Sequence, residues 1–225
     1  TFHASDDSTF QVIESKKGFV GDNNFISNGY AVIYAESTDN SFEGNISFNG
    51  YEEGSISGES KEASAFKGLS HFHMNDSSAL YASSPTIAID GCVELIFGNG
   101  EDGSEKNSSR ANVYSKVECV HFSSNDASQK GQRINVVFNS SSLVNFYTSP
   151  TFSGVTAFVF DIGTYDFSMK GNVDTRYVEN VFKVVDSDDV VINSFYYDNE
   201  NPSLNSSQFT NLLVGKECPE ITTAI

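Results

Sequence analysis

Short apolar cores recur along this chain at a nearly constant interval, and that periodicity constrains the fold more than any other feature. Val12, Ile33, Ile56, Leu80, Val113, Val137, Val159 and Phe182 mark the cores, at intervals of 21, 23, 24, 33, 24, 22 and 23 residues. The long interval contains the polar run at 98–109, and removing that run restores the period. A second apolar spot follows each marker, at Phe19, Phe42, Ala63, Ile87, Val120, Val144, Phe167 and Val190. A third follows at Phe25, Phe48, Phe72, Leu95, Phe152, Val173 and Phe195. Three short strands per unit is the rung of a parallel β-helix. Each strand is too short to bury itself, and gains a ladder and a core face by stacking on its equivalent in the next rung.

The pattern predicts an all-β chain: a parallel β-helix (β-solenoid) of about eight rungs of ~22 residues. It would span 1–200, with an insertion loop at 98–109, followed by a C-terminal cap or linker at 201–225. The alternative is a β-sandwich or jelly roll, whose antiparallel strands produce a similar alternation. The spacing of seven or eight residues between strands and the persistent super-period favour the solenoid. Turn chemistry agrees. Asn and Gly follow the apolar spots at Asn28-Gly29, Gly44-Asn45, Asn49-Gly50 and Gly98-Asn99-Gly100, and both tolerate the left-handed backbone of a tight corner. Ser60–Phe66 offers at most a turn or two of helix.

Composition narrows the partners. Thirteen basic and 30 acidic residues give a net charge of −17. A surface of that sign repels phosphate backbones and anionic lipid, so nucleic acid is excluded as a natural partner. No apolar stretch is long enough to span a bilayer, so membrane insertion is not expected. Aromatic residues make up 13% of the chain, which argues against disorder. No signal peptide is visible. A start at Thr1 without Met reads as a processed product, and 218–225 reads as a linker.

Cys92, Cys119 and Cys218 are too few for a disulfide scaffold and lack zinc-site spacing. One bridge, Cys92–Cys119, could close the loop between them, leaving Cys218 over; three reduced thiols are the alternative. Five Asn-x-Ser/Thr sequons, at Asn45, Asn75, Asn107, Asn139 and Asn205, are candidate N-glycosylation sites, although chance alone approaches that count in a chain so rich in Asn, Ser and Thr. They fit an extracellular or cell-surface protein.

No constellation spells out a reaction, and no catalytic residue or cofactor is assigned. Gly54-Ser55-Ile56-Ser57-Gly58 places Ile56 where a serine-hydrolase elbow needs its nucleophile. His71 and His73 flank Phe72 and share one strand face; with His121 they could in principle meet a metal, and surface-facing rung residues are the simpler reading. Asp186, Asp188 and Asp189, and Asn99, Glu101 and Asp102, are oxygen-rich clusters that leave Ca²⁺ open, without EF-hand spacing. Asp161 and Asp166, with Lys170 or Arg176 nearby, are the pair a polysaccharide lyase or glycoside hydrolase on this fold would use.

Gly29-Tyr30-Ala31-Val32-Ile33-Tyr34-Ala35 and the Phe-x-x-Asn elements Phe25 to Asn28, Phe42 to Asn45 and Phe122 to Asn125 resemble the repeats of adhesin-type right-handed parallel β-helix proteins, such as polymorphic outer-membrane autotransporter passengers. The resemblance covers about half the chain. It implies an extracellular domain for adhesion or display and carries over no catalytic residue. The expected function is therefore a structural or adhesive surface glycoprotein domain, self-associating end to end or binding other surface proteins or glycans. The alternatives are the carbohydrate-active enzyme and a viral or cellular receptor-binding β-sandwich.

Overall fold

The computed structural model describes residues 1–97, 109–122, 134–138, 143–148, 151–152, 155–161, 165–169, 172–174, 180–185 and 191–195. The chain winds as a β-solenoid of stacked coils with three strand-bearing faces. Face one stacks β2 (Thr9–Ser15), β5 (Val32–Ser37), β8 (Ser55–Ser60), β10 (Ala79–Ser84), β12 (Arg110–Ser115), β15 (Leu143–Tyr147) and β18 (Asn172–Asp174). Face two stacks β3 (Phe19–Val20), β6 (Phe42–Glu43), the first halves of β9 (Phe66–Met74) and β11 (Ile87–Phe97), then β13 (Glu118–Phe122), β16 (Thr156–Asp161) and β19 (Asn180–Val185). Face three stacks β1 (Phe2–Ala4), β4 (Asn23–Ser27), β7 (Ile46–Gly50), the second halves of β9 and β11, then β14 (Ile134–Phe138) and β17 (Tyr165–Met169).

These ladders are all parallel, which rules out the β-sandwich or jelly-roll alternative, whose neighbours run antiparallel. The exception is β20 (Val191–Phe195), which pairs antiparallel with β19. No α-helix occurs among the described residues. The stretch that could have formed one bends instead, with the Ser60 hydroxyl accepting the Ala63 N–H at 2.9 Å. Nor is any helix there long and apolar enough to cross a membrane.

Alternation sends every second residue inward, and the inward residues line up coil on coil. Phe2, Phe25, Phe48, Phe72 and Leu95 form one column. Phe19, Phe42, Phe66, Ile89 and Val120 form another, and Phe10, Ile33, Ile56, Leu80, Ala111 and Val144 a third. Within a column the rings stack, with Phe42 and Phe66 centroids 4.7 Å apart and 10° from parallel. Between the columns of faces two and three they meet edge to face, as Phe66 and Phe72 do at 5.1 Å and 86°. Each buried Phe contributes about 1.5–3 kcal/mol, and the columns pool that along the axis.

Two corners repeat a left-handed residue. Gly21, Gly44, Gly68 and Gly91, all at positive φ, stand between faces two and three. Between faces three and one the same role passes through Asp6, Gly29, Glu52 and Asp76. Interior serines close the remaining polar gaps: Ser37 and Ser60 both donate to the Asp39 carbonyl at 2.7 Å, and Ser84 donates to the Ala63 carbonyl at 2.6 Å.

The repeat drifts past β10. On face one, residues 9, 32, 55, 79, 110, 143 and 172 are in register, so the later coils are longer than 22 residues. Val137 consequently lies on face three opposite Ile96, and Val159 on face two opposite His121. The run at 98–109 falls between β11 and β12, as an insertion should; only Ser109 of it is described. Residues 201–225 lie outside the described residues.

Candidate functional site

The outward residues of the three faces form strips as regular as the core columns. On face two Glu43, Lys67, Asp90 and His121 succeed one another, alternating in sign until the histidine. Lys17 reinforces the first of them, its Nζ 2.7 Å from Glu43 Oε2, and Lys67 lies 3.6 Å from Asp90. The Lys17 hydrogen bond, followed by one from Asn40, holds the Glu43 carboxyl below its ordinary range. His121 sits 3.1 Å from Glu118. Such half-exposed pairs add little stability.

On face three, Glu94 lies opposite His71, and His73 projects from the same side two residues on. His73 Nε2 is 2.7 Å and His71 Nδ1 3.3 Å from the same oxygen, Glu94 Oε2. Burial pushes the Glu94 carboxyl up. The His73 bond and charge, then those of His71, outweigh burial and hold it below the usual value. The two histidines thus do share a face, as their spacing predicts. His121 is on face two, so the three imidazoles do not converge. Among the described residues no group of three or more His, Cys, Asp or Glu side chains is arranged to hold a metal ion; the two imidazoles here are engaged with one carboxylate instead.

Face one carries a different surface. In β5, β8 and β10 the residues Tyr34, Ser57 and Tyr81 stand directly in line, followed by Asn112 in β12. Tyr114 of β12 lies one outward position along, opposite Ser83. Glu36 and Glu59 flank the strip in register with each other. Tyr34 donates its hydroxyl to Glu36 Oε2 at 3.3 Å, and Lys61 Nζ holds Glu36 Oε1 at 2.7 Å. Burial, followed by the negative charges of Glu36 and Glu59, raises the Tyr34 phenol.

The expected disulfide is absent. Cys92 and Cys119 are both buried thiols. Register explains why. Cys92 lies opposite Phe122, three residues beyond Cys119 on β13, an offset of about 10 Å along the strand, and a bridge needs Cα atoms within about 7 Å. Burial pushes the Cys92 thiol well up. Of the sequons, Asn45 is exposed at the corner between β6 and β7, and Asn75 is half-buried in the turn after β9. Asn107, Asn139 and Asn205 lie outside the described residues, as do Cys218, both acidic clusters, Lys170 and Arg176. Asp161 ends β16 and Asp166 lies in β17, consecutive strands of one coil; their side chains are outside the description. The tyrosine strip was not anticipated, and of the glycine corner column only Gly44 was, although the Gly21, Gly44, Gly68 and Gly91 spacing carries the coil period openly.

No family model, curated protein or solved structure matches the chain.

Proposed function

We propose that this chain is an extracellular or cell-surface structural or adhesive domain, glycosylated at its exposed sequons, and that the polypeptide of residues 1–225 self-associates through the strand edges of its first coil. The observation that carries the reading is the exposed aromatic edge of that coil. Among the described residues β1, β2 and β3 pair on one side only. Phe10 occupies the column position of Ile33, Ile56 and Leu80, each fully buried, yet it is 40% exposed. Its ring joins Phe2 at 4.9 Å and Phe19 at 5.3 Å in an aromatic cluster at the end of the core. Ile13 and Val20 beside it are 50% and 57% exposed.

Unpaired strand edges backed by apolar rings are templates for another strand. At the other end β20 lies antiparallel on β19, while β17 and β18, like the first-coil strands, pair on one side only among the described residues. The aromatic cluster of Phe2, Phe10 and Phe19 favours a contact of the first-coil edge with the same edge of a second copy. A twofold contact of this kind pairs β2 with its symmetry mate and closes as a dimer rather than a fibre. Lys16, Lys17, Asp6 and Glu14 mix both signs around it, which suits a self-complementary surface.

Sedimentation over a range of concentrations tests the reading. The chain should pass from monomer to dimer, and Phe10→Lys should remain a folded monomer. A monomer at every concentration, or a dimer unaffected by Phe10→Lys, would overturn it. Secretion from a eukaryotic host should yield a glycan at Asn45 that Asn45→Gln removes.

A further inference from the structure

We propose that the tyrosine strip on face one binds a neutral β-linked polysaccharide lying along the solenoid axis. The inference names a partner for the adhesive reading and rests on it. Successive strands rise by about 4.8 Å, close to the advance of one β-linked hexose. Tyr34 and Tyr81 hold the same outward position two strands apart, with Ser57 between them. A β-1,4-linked chain in its extended twofold form turns the same ring face outward at every second sugar, so it meets the two rings in phase. Both rings are partly exposed and present flat apolar surface with a polar tip.

The residues beside the rings suit hydroxyls. Ser57, Ser83 and Asn112 offer donors and acceptors, and the Glu36 and Glu59 carboxylates are acceptors when ionised. The same carboxylates, on a chain of net charge −17, repel sulfated or uronic polysaccharides, which selects a neutral chain. Tyr114 extends the strip diagonally across the next strand. By contrast Tyr30, 64% exposed, lies in a turn off the strip and provides an internal control.

Affinity electrophoresis through gels containing a soluble neutral β-glucan tests the proposal, using Phe10→Lys protein so that end-to-end association cannot contribute. The β-glucan should retard the protein. Tyr34→Ala with Tyr81→Ala should weaken retardation at least tenfold, Tyr81→Phe should retain it, and Tyr30→Ala should leave it unchanged. The unsubstituted chain gives a readout that needs no mutant: the β-glucan should shield Tyr34 and Tyr81, but not Tyr30, from nitration. No retardation, retardation that survives loss of both tyrosines, unshielded Tyr34 and Tyr81, or stronger retardation by a sulfated polysaccharide would each overturn the proposal. Loss of retardation in the monomeric background alone would assign binding to the dimer and also overturn the strip as a self-sufficient site.

Discussion

At the residue scale, single positions are held to different standards by the coil above them. A Cβ on Gly68 would lie 2.3 Å from the Gly44 carbonyl oxygen, at a φ of +114°. Neither backbone can retreat without breaking a ladder. Gly21 has a similar φ but nothing within 4 Å of such a Cβ. Gly68→Ala should therefore cost about 2–4 kcal/mol and Gly21→Ala about 1 kcal/mol, read as a difference in urea midpoint. Glu52 presents the opposite case, holding φ +54° where the preceding coil has Gly29. Glu52→Gly should stabilise by about 0.5–1 kcal/mol; equal or lower stability would show that the corner does not strain Glu52. The sequence made these positions legible in principle, since Gly21, Gly44, Gly68 and Gly91 keep the period. Glu52 and Asp76 were not legible, because nothing in a Glu or Asp announces a left-handed backbone.

At the element scale, the first four coils follow from the sequence because each keeps its aromatic anchors. Phe25, Phe48, Phe72 and Leu95 were expected on one face, and they share one column. Phe66 replaces Ala63, and Ile89 replaces Ile87, in the neighbouring column, since small shifts in corner length move an apolar residue by two or three positions without altering the average period. Past β12 the coils lengthen, and Val137 and Val159 land on other faces because an apolar triplet looks alike on every face. The Cys92–Cys119 bridge failed for the same reason: loop length was visible, register was not. Register also makes the Glu94 cluster testable. Glu94 has a lowered carboxyl pKa, so its contribution is present above the ordinary carboxylate value of about 4.3 and is lost as pH falls through the lowered folded value. Glu94→Gln should flatten that part of the acid limb in thermal melts, and an unchanged acid limb would contradict the pairing.

For the whole molecule, the solenoid supplies long strips and two unlike ends, and these carry the proposed function. Composition made the acidic surface legible, and the repeat made the stacking of coils legible. The strip of Tyr34 and Tyr81 was not, because it exists only once strands 47 residues apart in sequence are counted two coils apart. End-to-end association was expected in general terms from the fold; what the sequence did not provide was the antiparallel β20 on β19 or the aromatic cluster of Phe2, Phe10 and Phe19 at the first coil. Deleting the aromatic core should also be felt globally. Phe48→Ala empties a fully buried position in the longest ring column and should cost about 3–5 kcal/mol, with one cooperative unfolding transition weakened rather than one coil lost. The most direct test of the end-to-end contact is thiol trapping. In a Cys218→Ser background, Gln11→Cys places a thiol on exposed β2, while Cys92 and Cys119 remain buried. A short bis-maleimide should convert Gln11→Cys into a covalent dimer and leave Asn112→Cys, four strands further along the same face, monomeric. No dimer from Gln11→Cys, or equal dimer from Asn112→Cys, would contradict an open first coil that pairs with its own kind.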